Sequence, residues 1–205
     1  MCGIVAVTGY KKALPLLVNG LEKLEYRGYD SAGIAIINSE TNSITCNKAE
    51  GKLKNLISKV NDENIPGTVG IGHTRWATHG KPEVKNAHPH TDSSGTVAVV
   101  QNGIIENFQD LKIKLQKEGI IFNSDTDTEV IPHLIERELN ILGKLNLDNN
   151  GSTLLVAVRN VISDLEGSYA LAVLWAGAPT SLVVARKQAP LILSLIHISE
   201  PTRPS

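Results

Sequence analysis

Apolar and polar positions along this chain recur with two different periods, and the periods name the elements. Residues 3–9 (GIVAVTG) form a short β-branched run closed by glycine, which predicts a strand. Over residues 12–25, Leu14, Leu17, Val18, Leu21 and Leu24 fall at helical spacing. Residues 33–37 and 43–47 predict two strands around a polar Asn-Ser-Glu turn, and a short helix is expected at residues 53–60. TVGIGHT (68–74) and TVAVVQNG (96–103) are further strands, and both end on residues rich in chemistry. Residues 107–119 have a helical period and a glycine stop. Residues 127–139 and 153–165 predict two amphipathic helices. SYALAVLW (168–175) and TSLVVAR (180–186) predict a closing strand pair, with ARKQAPLIL (185–193) continuing the sheet.

Several of these strands are apolar at every position, so they need cover on both faces. Layered sheets held between helices follow from that need. The longest stretch without a period runs from residue 76 to 94 and carries Gly80, Pro82, Pro89 and three histidines. A structureless loop of that length inside a compact domain points to function. From residue 193 the character changes to LSLIHISEPTRPS, with a Pro/Ser/Arg-rich ending. Residues 194–205 resemble the translation of a synthetic sequencing adaptor, and the natural sequence is expected to stop near Leu193.

Composition narrows the class. With 205 residues, 41% of them hydrophobic, the chain suits one fairly large domain with a buried core. A net charge of -1 offers no footprint for nucleic acid or a membrane surface. The two cysteines, Cys2 and Cys46, are far apart and in no metal-like spacing, which suits a reducing compartment. The first apolar run lacks a basic lead and ends by Gly9-Tyr10, so it is a strand rather than a signal peptide. A cytoplasmic location is expected.

Cys2 is the first candidate for chemistry. Removal of Met1 would leave a residue carrying both a thiol and a free α-amine. A thiol needs a base to become a nucleophile, and an α-amine with a reference pKa of about 7.7–8.0 can serve. A small buried apolar side chain is the alternative reading for Cys2, and Cys46 is read as a core strand residue with no chemistry. Three further segments stand out: LEYRGYDSAG (24–33), HTRWATHG (73–80) with NAHPH (86–90), and QNGIIEN (101–107) with SDTDTEV (124–130). His79, His88 and His90 with Asp92 raise the question of zinc. Their spacing is irregular and no cysteine joins them, so no metal is expected.

CGIV, YRGYDSAG, HTRWATHG, NAHPH, NGIIEN and TDTEV, in this order, resemble the class II glutamine amidotransferases. Among these they are most similar to the glutaminase domains of the isomerising glutamine–fructose-6-phosphate aminotransferases, over residues 2–193. That resemblance implies an α+β fold, a four-layer α/β/β/α sandwich of the N-terminal-nucleophile hydrolase type. It implies that Cys2 attacks the side-chain amide of L-glutamine, and that Asn102 and the Gly103 backbone N–H receive the oxyanion. Arg75 corresponds to the clamp on the α-carboxylate, and Asp127 to the partner of the α-ammonium. Trp76, Thr78 and His79 lie on the loop that covers bound glutamine. Arg27 and His88 are supporting residues, with His88 and His90 as structural hydrogen-bonders in that lid. No cofactor is implied.

Each role has a plainer alternative. Asn102-Gly103 could be a hairpin turn, Asp127 a helix N-cap, and Arg27 a charge at a helix C-terminus. Fructose 6-phosphate would be reached only through sugar-phosphate isomerase domains absent from this sequence, in an expected homo-oligomer. The glutaminase domain itself is expected to be truncated at its C-terminal end, exposing sheet edges. Two other functions stay open: an amidotransferase of another pathway, such as an amidophosphoribosyltransferase, and an inactive glutamine-binding fragment that keeps Met1.

Overall fold

The computed structural model describes residues 2–60, 65–76, 81–144 and 150–194. Two four-stranded antiparallel sheets form the centre. The first consists of β1 (Gly3–Val7), β2 (Ser31–Ile37), β3 (Ile44–Glu50) and β4 (Gly70–Arg75), in the order β1-β4-β2-β3. The second consists of β5 (His90–Thr91), β6 (Val97–Ile105), β7 (Gly167–Trp175) and β8 (Val183–Lys187), in sequence order. Helices α1 (Ala13–Glu22) and α2 (Leu53–Val60) cover the first sheet. Helices α3 (Phe108–Lys117), α4 (Val130–Lys144) and α5 (Gly151–Asp164) cover the second.

The period-2 alternation of strands explains why the central strands are apolar throughout. On β2, Ile34 and Ile36 pack against Leu17, Leu21, Leu53 and Leu56 of α1 and α2, while Ala35 and Ile37 face the other sheet. On β6, Val99 packs among Leu134, Leu154 and Val158 of α4 and α5, while Ala98 and Val100 face inward. On β7, Leu171 and Val173 belong to the helical side, and Ala172 and Leu174 to the layer between the sheets. The result is the expected four-layer α/β/β/α sandwich with three apolar layers. Alanines at four of the inter-sheet positions, Ala6, Ala35, Ala98 and Ala172, keep the middle layer thin. Where β2 passes the second sheet's connection, Gly33 lies against the His88 carbonyl, and any side chain there would collide with it.

Element ends differ from the periodic reading where local chemistry intervenes. Pro15 and Pro132 each fall in the first turn of a helix, α1 and α4, where a missing N–H breaks no bond. The predicted helix over residues 12–25 stops at Glu22, and Glu25–Arg27 forms a separate 3-10 turn. The stretch from residue 76 to 94 is not wholly irregular. It contains a 3-10 turn at Val84–Asn86 and the two-residue strand β5, too short to register as a period. The sheet does not run on through residues 189–193: β8 ends at Lys187, and Ile192 and Leu193 lie exposed beyond it. Among the described residues, no helix is long and apolar enough to cross a membrane.

Candidate active site

Strand parity decides which side chains meet. Ile71 on β4 faces the second sheet, so His73 and Arg75 on the same strand face it too. Ala98 and Val100 set the same direction on β6, which carries Asn102 inward. Ile4 and Ala6 of β1 pack in that layer, and Cys2 shares their parity. The layer between the sheets is thus apolar through its middle and polar at one end. There Cys2, Arg75, Asn102, Gly103 and Asp127 line a single cavity of about 670 Å³, with Arg27, Trp76 and His88 in the same wall.

At Cys2, the Trp76 N–H donates to Sγ at 3.2 Å, and Sγ lies 3.5 Å from the Trp76 carbonyl oxygen. Burial pushes the thiol above its ordinary value of 9.0, against the opposing pull of the Trp76 N–H and the Arg75 charge. At neutral pH the thiol therefore keeps its proton, and attack requires a base. Arg27 ends the 3-10 turn beside the cavity, with its guanidinium 5.9 Å from the Tyr26 ring centroid. Trp76 is half exposed and meets Tyr29 edge-on at 5.3 Å.

Asn102 and Gly103 do not form a hairpin turn. They lie within β6, opposite Ala170 and Tyr169 of β7. Asn102 Nδ2 donates to the Cys2 carbonyl oxygen at 3.0 Å, and its Oδ1 lies 2.9 Å from His73 Nε2. Gly103 has φ +120°, and a Cβ there would run into the Ser168 carbonyl. Only glycine fits that backbone in a paired strand.

Arg75 is buried. Its Nη1 donates to the Lys81 carbonyl at 3.2 Å and lies 3.9 Å from Asp30 Oδ1. The guanidinium is planar and presents donors in a fixed fork, a shape that matches a carboxylate. Asp127 is not the N-cap of α4, which starts three residues later at Val130. Its Oδ2 instead accepts the Ile105 N–H at 2.8 Å, tying the loop ahead of α4 to the end of β6.

His88 does not sit in a lid. It is buried under the cavity, where its Nδ1 accepts the Gln101 N–H at 3.2 Å. Its ring stacks on His73 at 4.2 Å and meets His90 edge-on at 4.7 Å. His90 Nε2 is 3.0 Å from Thr126 Oγ1. Burial lowers all three imidazoles, His73 to about 4 and the others well below 6.5. Asp92 binds the Val97 N–H at 2.7 Å, which closes the turn between β5 and β6. Among the described residues, no three His, Cys, Asp or Glu side chains are grouped to hold a metal ion. Thr78 and His79 lie outside the described residues. A second cavity of about 410 Å³, lined by Asn107, Lys114, Arg137 and Asp164, shares no residue with the first.

Sequence reasoning assigned no role to His73, Gln101 or Asp30. For His73 a signal was present, since it lies two residues before Arg75 on a predicted strand and so on the same face. Nothing local marks Gln101 or Asp30, whose partners Thr128 and Arg75 come from other segments.

Comparison with known proteins shows the family. The glutamine amidotransferase domain model matches residues 73–195, more than half of the chain. The glutamine–fructose-6-phosphate aminotransferase (isomerizing) of Thermosynechococcus vestitus is 55% identical over 193 residues, and that of Pyrococcus horikoshii 52% over 195. These alignments cover 94% and 95% of this chain but only 30% and 31% of the relatives, so the chain spans about a third of their length. Among solved structures, the glutamine phosphoribosylpyrophosphate amidotransferase of B. subtilis superposes with a TM-score of 0.70 at 28% identity. It covers 91% of this chain and 37% of its own. An allosteric regulatory enzyme of purine biosynthesis superposes with a TM-score of 0.72 at 27% identity, again over 91% and 37%. The four-layer sandwich, the cysteine at its polar end and the matched segment agree: the chain belongs to the glutamine amidotransferase domain family.

Proposed function

We propose that this domain, residues 2–193, hydrolyses the side-chain amide of L-glutamine through a thioester on Cys2. The observation that carries the reading is the shared cavity: Cys2, Arg75, the Asn102-Gly103 pair and Asp127 come from separate segments and line one space. Arg75 takes the α-carboxylate with its guanidinium, and Asp127 takes the α-ammonium. Trp76, half exposed at the rim of the cavity, covers the substrate and limits the entry of water. Loss of Met1 frees the α-amine of Cys2, which removes the thiol proton directly or through a water. Sγ then bonds to the amide carbon, and the carbonyl electron pair moves onto oxygen, where Asn102 Nδ2 and the Gly103 N–H receive it. Collapse of this intermediate breaks the C–N bond and expels ammonia, which carries the proton away. Water then cleaves the thioester to give glutamate and the free thiol.

The destination of the ammonia rests on the relatives. Their names specify fructose 6-phosphate as the acceptor, and their identity of 52–55% far exceeds the 28% of the phosphoribosyl branch. In a complete protein the ammonia would thus give glucosamine 6-phosphate on sugar-phosphate isomerase domains, within a homo-oligomer. The two free cysteines, Cys2 and Cys46, fit a cytoplasmic enzyme.

The test is glutamate release by the wild-type chain and by Cys2→Ala, with intact mass reporting whether Met1 is gone. The expected result is a wild type lacking Met1 that releases glutamate, and a variant reduced to background. Full activity in Cys2→Ala would sink the thioester reading.

A further inference from the structure

His73 has no part in that scheme, yet it is buried against one of its central residues. It lies on β4 behind the cavity rather than in its lining, with Nε2 2.9 Å from Asn102 Oδ1. An amide oxygen has no proton to give, so this contact is a hydrogen bond only when Nε2 carries the proton of the ring. The other end of the same amide, Nδ2, is 3.0 Å from the Cys2 carbonyl oxygen, which can only accept. Donor and acceptor therefore read the Asn102 amide from opposite ends. Rotated by half a turn, it would set Oδ1 against the Cys2 carbonyl and Nδ2 against the imidazole N–H, losing both bonds.

We infer that His73 is a positioning residue: by donating from Nε2 to Asn102 Oδ1, it keeps the Asn102 N–H groups turned toward Cys2. The inference rests on the thioester reading above, because the oxyanion forms on that side. Two features keep the imidazole in this role. The His88 ring stacks on it at 4.2 Å with 14° between the planes, and His88 is fixed in turn by the Gln101 N–H at 3.2 Å. Burial holds His73 neutral down to about pH 4, so at working pH it carries a single proton. The tautomer with that proton on Nε2 satisfies Asn102.

Two variants and one spectrum test this. His73→Phe fills the space without a donor, and His73→Gln offers a side-chain N–H at similar reach. For His73→Phe the expected result is a kcat about 10- to 1000-fold lower, with KM for glutamine within about threefold of wild type. His73→Gln should recover at least about tenfold of that loss. The rate of Cys2 alkylation by iodoacetamide, which needs the thiol but no oxyanion donor, should match wild type in both. Equal losses in the two variants, or a kcat for His73→Phe within twofold of wild type, would overturn the inference. Nitrogen-15 NMR of the wild-type ring is independent of whether any variant folds: an Nε2–H tautomer is expected, and an Nδ1–H tautomer overturns the assignment. If Cys2→Ala stays active, the thioester reading itself falls. If Cys2→Ala is inactive while His73→Phe turns over as wild type, only the role of His73 falls.

Discussion

Asn102 and Gly103 are neighbours on one strand, and the proposed mechanism uses the side chain of the first and the backbone of the second. Replacing Asn102 by Ala removes the proposed oxyanion donor and leaves the paired strand intact. Its kcat should fall about 100- to 1000-fold with little change in melting temperature, read by steady-state kinetics beside a thermal melt. Gly103→Ala differs in kind. The backbone sits at φ +120° and the new methyl group would meet the Ser168 carbonyl, so β6 must move away from β7. Strain of about 1–3 kcal/mol should lower the melting temperature as well as the activity. If Gly103→Ala melted as wild type, the constraint on that backbone would be disproved.

At the scale of elements, the site is a by-product of strand register. β4 pairs with β1 through Gly3–Thr74 and with β2 through Ser31–Arg75, which fixes Cys2, Arg75 and Asp30 at the same end of the sheet. β6 and β7 do the same for the second sheet. A one-residue slip of either ladder would turn His73 or Asn102 into a helical layer, where neither has a partner. The helices carry the sheets without entering the chemistry. Helix α5 begins at an Asn150 cap whose Oδ1 accepts the N–H groups of Ser152 and Thr153 at 2.9 and 3.1 Å. Asn150→Ala should cost about 1 kcal/mol in urea denaturation and leave kcat/KM unchanged. A change in kcat/KM there would mean that α5 is coupled to the site.

At the scale of the molecule, the seam between the sheets couples stability to pH. His73, His88 and His90 are buried neutral in a row, and burial holds each below the ordinary value of 6.5. The unfolded chain therefore binds more protons than the folded one as pH falls from 6.5 toward 4, and the folded state loses stability across that window. His73 alone, with its value near 4, accounts for about 3 kcal/mol of loss, and the other two act in the same direction. Urea denaturation at pH 7 and pH 4.5 should show this fall. Equal stabilities at the two pH values would contradict the burial of neutral histidines.

The amino-acid sequence by itself determined the layers and the candidates. Strands such as GIAII demand cover on both faces, which is enough to call for two sheets between helices. The ordered motifs around Cys2, Arg75, Asn102 and Asp127 were legible because their chemistry depends on residue type. Only the tertiary structure decided what those residues contact. Asp127 reads locally as a helix cap, yet it binds the end of β6, because its Ile105 partner comes from a distant segment. His88 reads as a lid residue, yet it lies beneath the cavity stacked on His73. Periodicity reports which face a side chain takes. It cannot report which strand lies opposite, and at this site the opposite strand sets the direction of the Asn102 amide.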